Sequence, residues 1–423
     1  MIKAIFFIQL LIVVSLNKHK FQKINTVFIN SYSFGHSVIE STVFFETFGV
    51  NGLCLSVGNK SNRNYFFKDI FNPNILIHFW IPDVKTLKYY QAIRKRVHES
   101  IDVSMQNSKL IRLIIGKNLT SISRDLLLEN AAKLKLVKNY NLSEKKATEL
   151  ITKFRNDFIK AGINHSSALQ LIVQQENYIT IDLPESLSKL NQKFNHYLEK
   201  LASEHESQEV KICTLILRKS HKAWTGMGIN GYVQVIEYLR EKNYVICIVG
   251  DVNEFKSLRN DPAFFGVYDH NVFDLDVKSF QLLSIFNSQF CVGDQSGVQT
   301  IVHLFAKKNL IINVIPTGQN QFNTVCLPQI WKDQAGRMAS AEEHLNQLFL
   351  RSHPFRLPNN KILTPSFNES SVVLTAVKNF VRGIEQNDIK YIPHSEEIFD
   401  TEYISKYTQS GGFAPEFFKT LKL

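Results

Sequence analysis

Residues 290–316, FCVGDQSGVQTIVHLFAKKNLIINVIP, decide how the rest of the chain is read. Phe290-Cys291-Val292 has the composition of a buried strand. Gly293-Asp294-Gln295-Ser296-Gly297 is a tight turn of small and polar residues. Val298, Ile301, Val302 and Phe305 then recur at helical spacing, Lys307-Lys308-Asn309 closes that helix, and 310–315 reads as the next strand. A strand–loop–helix–strand unit implies a parallel sheet with a right-handed crossover. The turn then lies at the carboxyl end of a strand and the amino end of a helix. Its backbone N–H groups, with Ser296 and Gly297 allowing close approach, suit a phosphate or a carboxylate. The same residues equally suit an ordinary strand-to-helix connection capped by Ser296 or Asp294, because a short Gly/Ser turn is a weak motif.

The flanking sequence extends the pattern. Residues 210–217 form a strand ending at Arg218, and the loop 223–231 leads into a helix over 232–241. A further strand, 244–249, ends at Gly250-Asp251, and a helix over 277–287 follows Asp274-Leu275-Asp276. Helices are expected at 340–350 and 370–385. Nearer the amino terminus, strands at 27–30, 52–57, 75–79 and 110–115 alternate with helical patterns, which implies a second α/β domain. Between the two, residues 126–202 interleave charged and apolar residues at helical spacing, notably 144–161 and 186–202, and predict amphipathic helices with a solvated charged face. The polar run 203–209 is the expected interdomain linker. The domain plan is therefore an apolar segment 1–20, an amino-terminal domain 21–205 containing the helical region, a carboxyl-terminal domain 206–385, and a tail 386–423 packing back on the domains.

Composition narrows the class. The chain has 423 residues, 44% hydrophobic and 21% charged, which suits packed domains rather than disorder. Its net charge of +11 favours anionic partners such as phosphorylated substrates or an anionic membrane face. No long basic block or basic–aromatic alternation points to nucleic acid. The cysteines, Cys54, Cys213, Cys247, Cys291 and Cys326, are odd in number, lack zinc-like spacing and sit mostly in apolar strands, as in a reducing cytoplasm. Five sequons, at Asn59, Asn118, Asn141, Asn164 and Asn368, are what chance gives in an Asn-rich chain. The apolar run 4–16 is short for a straight membrane span. It reads as a buried element, an interfacial anchor with a basic flank, or an uncleaved signal.

Several residues are placed to carry chemistry. Arg218, closing a strand, can hold a phosphate bidentately, or serve as a surface charge or internal ion pair. Gly35-His36 falls in the first strand–loop–helix turn, where glycine admits a ligand and histidine can take a proton near neutral pH. The alternative for His36 is a helix cap. Asp251 ends a strand and can touch a ligand or make a turn. Asp274-Leu275-Asp276 has the form of a metal-binding Asp-x-Asp, but its position just ahead of a helix favours capping. Ser296 is not in a G-x-S-x-G elbow, so no hydrolase triad is indicated.

Taken together, Phe34-Gly35-His36, the strand ending Leu217-Arg218, YVQVIEYLREKNYVICIVGD at 232–251, residues 282–297 with the Ser-Gly turn, Asn313 to Pro316, 333–345 and GGFAPEFF at 411–418 resemble a family of GT-B bacterial glycosyltransferases associated with surface-polysaccharide gene clusters. The resemblance covers most of 206–420 and touches 26–60 thinly. It departs from the family where the strand at 246–249 lacks an arginine, and where Asp294-Gln295 precede the Ser-Gly. The resemblance implies an α/β, GT-B-like fold: two Rossmann-like domains with parallel sheets facing a cleft, plus the helical insertion. It implies a nucleotide-sugar donor held by Arg218, Gln295, Ser296, Gly297 and Asp251, and a glycan or lipid-linked acceptor on the side of Gly35, with His36 as the base. No cofactor or metal is expected, since positive groups stabilise the leaving diphosphate. The expected location is the cytoplasm, peripheral to the inner membrane. A nucleotide-sugar epimerase and a non-catalytic sugar- or nucleotide-binding subunit are the alternatives on the same scaffold.

Overall fold

The computed structural model describes residues 25–30, 52–58, 76–80, 109–115, 121–122, 129–134, 136–137, 141–160, 182–183, 185–204, 210–218, 226–251, 255, 258–314, 324–340, 355–356, 362–389, 392–393 and 412–413, with positions 8, 11–12 and 15–16. The chain divides into two units, Met1–Thr152 and Lys153–Leu423.

The first unit holds four parallel strands: β1 (Asn25–Asn30), β2 (Gly52–Gly58), β3 (Leu76–Trp80) and β4 (Ser121–Ile122). Their order is β3-β2-β1-β4, all parallel. The sheet turns back at β1, which is the doubly wound order. The run 110–115, expected as a strand, instead lies in a helix, α1 (Lys109–Ile115). Five apolar residues out of seven fit a strand or a helix equally well by composition. Leu113 is 81% exposed, so the run is not buried on all sides as a central parallel strand would be. The helix α2 (Glu144–Lys160) follows the expected amphipathic pattern.

The second unit is built on an eight-stranded sheet. Its first six strands are β5 (Lys211–Leu217), β6 (Tyr244–Gly250), β7 (Val267–Tyr268), β8 (Phe290–Asp294), β9 (Lys308–Val314) and β10 (Thr324–Pro328). All six run parallel in the order β7-β6-β5-β8-β9-β10, the full Rossmann arrangement. Every residue of β8 and all but the end residues of β5, β6 and β9 are buried. Strands covered on both faces read as continuous apolar runs, which is why they were visible in the sequence. A separate antiparallel sheet, β11 (Ile330–Asp333), β12 (Phe355–Arg356) and β13 (Ile362–Ser366), was not foreseen. In the tail, β14 (Ile392–Pro393) and β15 (Gly412–Phe413) extend the main sheet beyond β10, β15 parallel and β14 antiparallel.

Two groups of helices cover this sheet. The helix α4 (Val233–Glu241) packs on β6 and on α7 (Ser370–Glu385). The helix α5 (Val277–Asn287) packs on β5, β6, α6 (Gln299–Leu304) and α3 (Ser188–Glu204). The sequence places α3 with the amino-terminal domain, yet its aromatic face belongs to the second unit. Phe194 stacks on Phe273 at 4.6 Å, and Phe273 meets Phe280 of α5 at 5.1 Å. Lys193 adds a 2.7 Å ion pair to Asp274. Ser203 and Glu204 continue α3, and the rest of the expected linker, 205–209, lies outside the described residues, as does 341–350. Both units are thus α/β and Rossmann-like, as the strand pattern predicts.

Candidate functional site

In a doubly wound sheet the strand order reverses between the first strand and the fourth, and a crevice opens at their carboxyl ends. In the second unit those strands are β5 and β8. They end at Leu217 and Asp294, and Arg218 and the Ser-Gly turn follow directly. The sequence-derived residues Arg218, Gln295, Ser296 and Gly297 therefore meet at the switch point.

Asp294 organises this end of the sheet. It is fully buried and accepts three hydrogen bonds from three different segments. The backbone N–H of Arg218 donates to Oδ2 at 3.1 Å, the N–H of Met227 to Oδ1 at 3.4 Å, and the Tyr232 hydroxyl to Oδ1 at 2.8 Å. Burial pushes its pKa up to about 7, against the opposing pull of those donors and of the Arg218 charge. Tyr232, also buried, is raised well above the usual phenol range by burial and by the adjacent carboxylate. Asp294 is thus not the cap of α6, one of the two readings of the turn. Instead, the Ser296 hydroxyl accepts from the N–H of Val298 at 3.2 Å, and Gln299 Nε2 donates to the Asp294 carbonyl at 3.0 Å.

Arg218 has an exposed side chain whose Nη1 donates to the Gln295 carbonyl at 2.8 Å. Its guanidinium has no carboxylate within 4 Å among the described residues, and the Asp294 oxygens accept instead from backbone and phenol donors. Partial burial lowers its pKa and the Asp294 charge opposes that shift. One of its five N–H donors braces the turn. The internal ion pair that was one alternative for Arg218 is therefore absent among the described residues.

Two glycines make these approaches sterically feasible. A Cβ on Gly293 (φ 149°) would lie 2.1 Å from the Ile216 carbonyl oxygen, and one on Gly226 would lie 1.8 Å from the Arg218 carbonyl oxygen. No L side chain fits at either position without a backbone shift. At the end of β6, the Asp251 N–H donates to the Leu217 carbonyl at 3.0 Å, which extends the β5–β6 ladder and sets this residue beside Arg218.

Other sequence candidates fall elsewhere. Gly35 and His36 lie outside the described residues. Asp276 caps α5, accepting from the N–H groups of Lys278 (3.0 Å) and Ser279 (3.1 Å), and Asp274 pairs with Lys193. Both aspartates of the Asp-x-Asp are thereby occupied in structural roles. Among the described residues no cluster of three His, Cys, Asp or Glu side chains is placed to hold a metal. Asn368, one of the five sequons, is buried, and its Nδ2 donates to Asn313 Oδ1 and the Pro328 carbonyl, both at 2.8 Å. That amide is not available for glycosylation in the folded chain.

No family model matches the sequence, and no curated protein matches it. Among solved structures, the E. coli ADP-heptose lps heptosyltransferase II is similar at 10% identity and TM-score 0.40, over 72% of this chain and 90% of that one. A glycosyl transferase family 9 protein from Veillonella parvula is similar at 11% identity and TM-score 0.40, over 72% and 87%. The UDP-GlcNAc 2-epimerase of Neisseria meningitidis bound to UDP-GlcNAc is similar at 11% identity and TM-score 0.32, over 68% and 82%. Likeness this slight decides nothing about chemistry, and the fold rests on the strand orders themselves.

Proposed function

We propose that this chain is a metal-independent GT-B glycosyltransferase that moves a sugar from a nucleotide-sugar donor to a glycan or lipid-linked acceptor in surface-polysaccharide synthesis. One observation carries the reading. A guanidinium without a carboxylate partner and a Gly-Ser turn meet at the switch point of a Rossmann-ordered sheet, where open α/β sheets bind their ligands. In this reading Arg218 and the N–H groups of the turn receive the donor diphosphate, Asp251 borders the nucleotide, and His36 with Gly35 serves the acceptor side. The helix α6 has only six residues, so the positive side chain supplies more of the phosphate attraction than the helix dipole does.

The test is a thermal-shift screen of the full chain against UDP-, ADP-, GDP-, CMP- and dTDP-sugars, with and without EDTA. A donor at 100 times its dissociation constant adds about 2.7 kcal/mol of stability. The expected result is a shift for one nucleotide family, unchanged by EDTA and lost in Arg218→Ala. No shift with any donor overturns the reading. Turnover that requires an acceptor then separates transfer from epimerisation, which needs none, and from a binding subunit, which shows no turnover.

The same reading places the protein on the cytoplasmic face of a membrane. No helix among the described residues is long and apolar enough to cross one. Ile8, Ile12 and Leu16 are helical and exposed and stand four residues apart, the spacing of one helix face, and Lys18 and Lys20 follow in the sequence. A stripe of that kind suits an interfacial helix on anionic lipid.

A further inference from the structure

At the opposite end of the second unit's sheet, the strands enter over a cleft of about 750 Å³. Lys211 begins β5 there and Lys308 begins β9, with Lys307 just before it. Seven-residue strands separate this pole from Arg218 by about 20 Å. The cleft is of the size that takes a metabolite.

Its charge is unbalanced. Among the described residues, no carboxylate lies within 4 Å of Lys211, Lys307 or Lys308. Glu385 lines the same cleft, but its carboxylate is 3.7 Å from Lys242. Lys307 is partly withdrawn from water, which lowers its pKa. The neighbouring thiol of Cys291 offers no compensating charge, because burial holds it well above the usual thiol range. The Phe286 ring, 5.5 Å from the Lys307 ammonium, offsets only part of that cost. Lysines also gather at helix carboxyl ends, and α5, α6 and α7 all end here. A full-length end is worth about half a negative charge and the six-residue α6 less, so the three ends balance at most about half of the three ammonium groups. Positive charge remains, concave and flanked by the polar side chains of Asn287 and Gln289.

We propose that this cleft is a second anion site, which binds a phosphate-bearing small molecule through Lys211, Lys307 and Lys308. Lysines that border one cleft from the starts of two strands suit a multiply charged phosphate, to which lysine binds as a point charge. The site is independent of the donor reading, since it shares no residue with the switch point.

The experiment is amine-acylation footprinting of the full chain by mass spectrometry, with inorganic diphosphate as the probe and sodium chloride of matched ionic strength as the control. At ten times its dissociation constant, diphosphate should slow acylation of Lys307 about tenfold by mass action, with Lys211 and Lys308 slowed alongside. Lys378, which lies over Tyr238 away from the cleft, should be unaffected. Protection of Lys307 should persist in Arg218→Gln and disappear in the double variant Lys211→Gln, Lys308→Gln, whose fold is checked by circular dichroism. Loss of protection in Arg218→Gln, or equal protection by chloride, overturns the proposal. A parallel arm uses vesicles with and without anionic phospholipid. Protection by diphosphate supports a soluble ligand, protection by anionic vesicles alone supports a lipid headgroup phosphate, and protection by neither overturns the site. A failed donor screen with intact Lys307 protection removes the glycosyltransferase reading and leaves this one standing.

Discussion

Substituting Asp294→Asn should flatten the acid side of the stability profile. Raising a carboxyl from its ordinary 3.8 to about 7 makes its ionisation in the folded protein costlier by about 4 kcal/mol. Below pH 3.8 the group is protonated in both folded and unfolded chains, and this contribution is fully present. As pH rises, the unfolded chain releases its proton first, so the folded state binds more protons and stability falls with pH. The loss is complete once the folded carboxyl ionises near pH 7. Asparagine is nearly isosteric and does not titrate. Its Oδ1 can still accept from Tyr232 and Met227, while its Nδ2 faces the N–H of Arg218, a mismatch costing about 1–3 kcal/mol at every pH. The wild type should therefore lead the variant clearly at pH 4.5 and lose about 3–4 kcal/mol of that lead, or all of it, by pH 8. Urea unfolding followed through Trp331, a buried reporter in the same unit, measures both profiles. Wild-type and variant stabilities that run parallel from pH 4.5 to 8 would refute the buried-carboxylate account of this site.

Three further outcomes follow from the geometry. Gly293→Ala puts a methyl 2.1 Å from the Ile216 carbonyl and at a φ that L residues avoid, so it should cost about 3–5 kcal/mol and lower the melting temperature by about 10 °C in a calorimetric scan. Asp276→Ala removes the two N–H acceptors at the start of α5 and should cost about 1 kcal/mol in urea unfolding, without changing metal content or donor affinity. Ile12→Asp interrupts the exposed amino-terminal stripe, and should abolish co-sedimentation with anionic vesicles while leaving the melting temperature unchanged; retained binding would remove the stripe from any membrane role.

Much of the second unit is legible in the sequence for a specific reason. The strands β5, β6, β8 and β9 are buried on both faces, so burial is written as uninterrupted apolar runs. The bounds of α5 and α7 coincide with the expected 277–287 and 370–385, helped at α5 by the Asp276 cap. The misread run at 110–115 had no such signature, because a short, mostly apolar run carries too little periodicity to separate strand from helix. The site was half visible. Arg218 and the Ser-Gly turn stand next to recognisable strand ends, whereas Asp294 looked like a local cap. Its three donors lie 62 to 76 residues away in the chain, and no local spacing reports them. Gly226 was equally opaque, since the atoms that exclude its side chain belong to Arg218 and Asp294, brought close only by the sheet.

The pairing of charges at the switch point bears on what the site is for. A buried acid and an exposed arginine at the ends of adjacent strands would ordinarily form an ion pair, and a merely structural arginine gains most from doing so. Here the acid accepts from Arg218's own backbone, from Met227 and from Tyr232, and the guanidinium instead donates to the carbonyl of Gln295. A carbonyl fixes the orientation of the arginine without neutralising it. No described carboxylate lies within ion-pair distance of the guanidinium, which is held against the turn and feels the Asp294 charge only through space. Holding a cation in place beforehand reduces the ordering cost that an anionic ligand would otherwise meet on binding. That arrangement costs stability if nothing binds, since Arg218 is partly desolvated and Asp294 resists ionisation. A partly desolvated cation and a carboxyl that resists ionisation, brought together where a Rossmann sheet opens, fit the anion site proposed above.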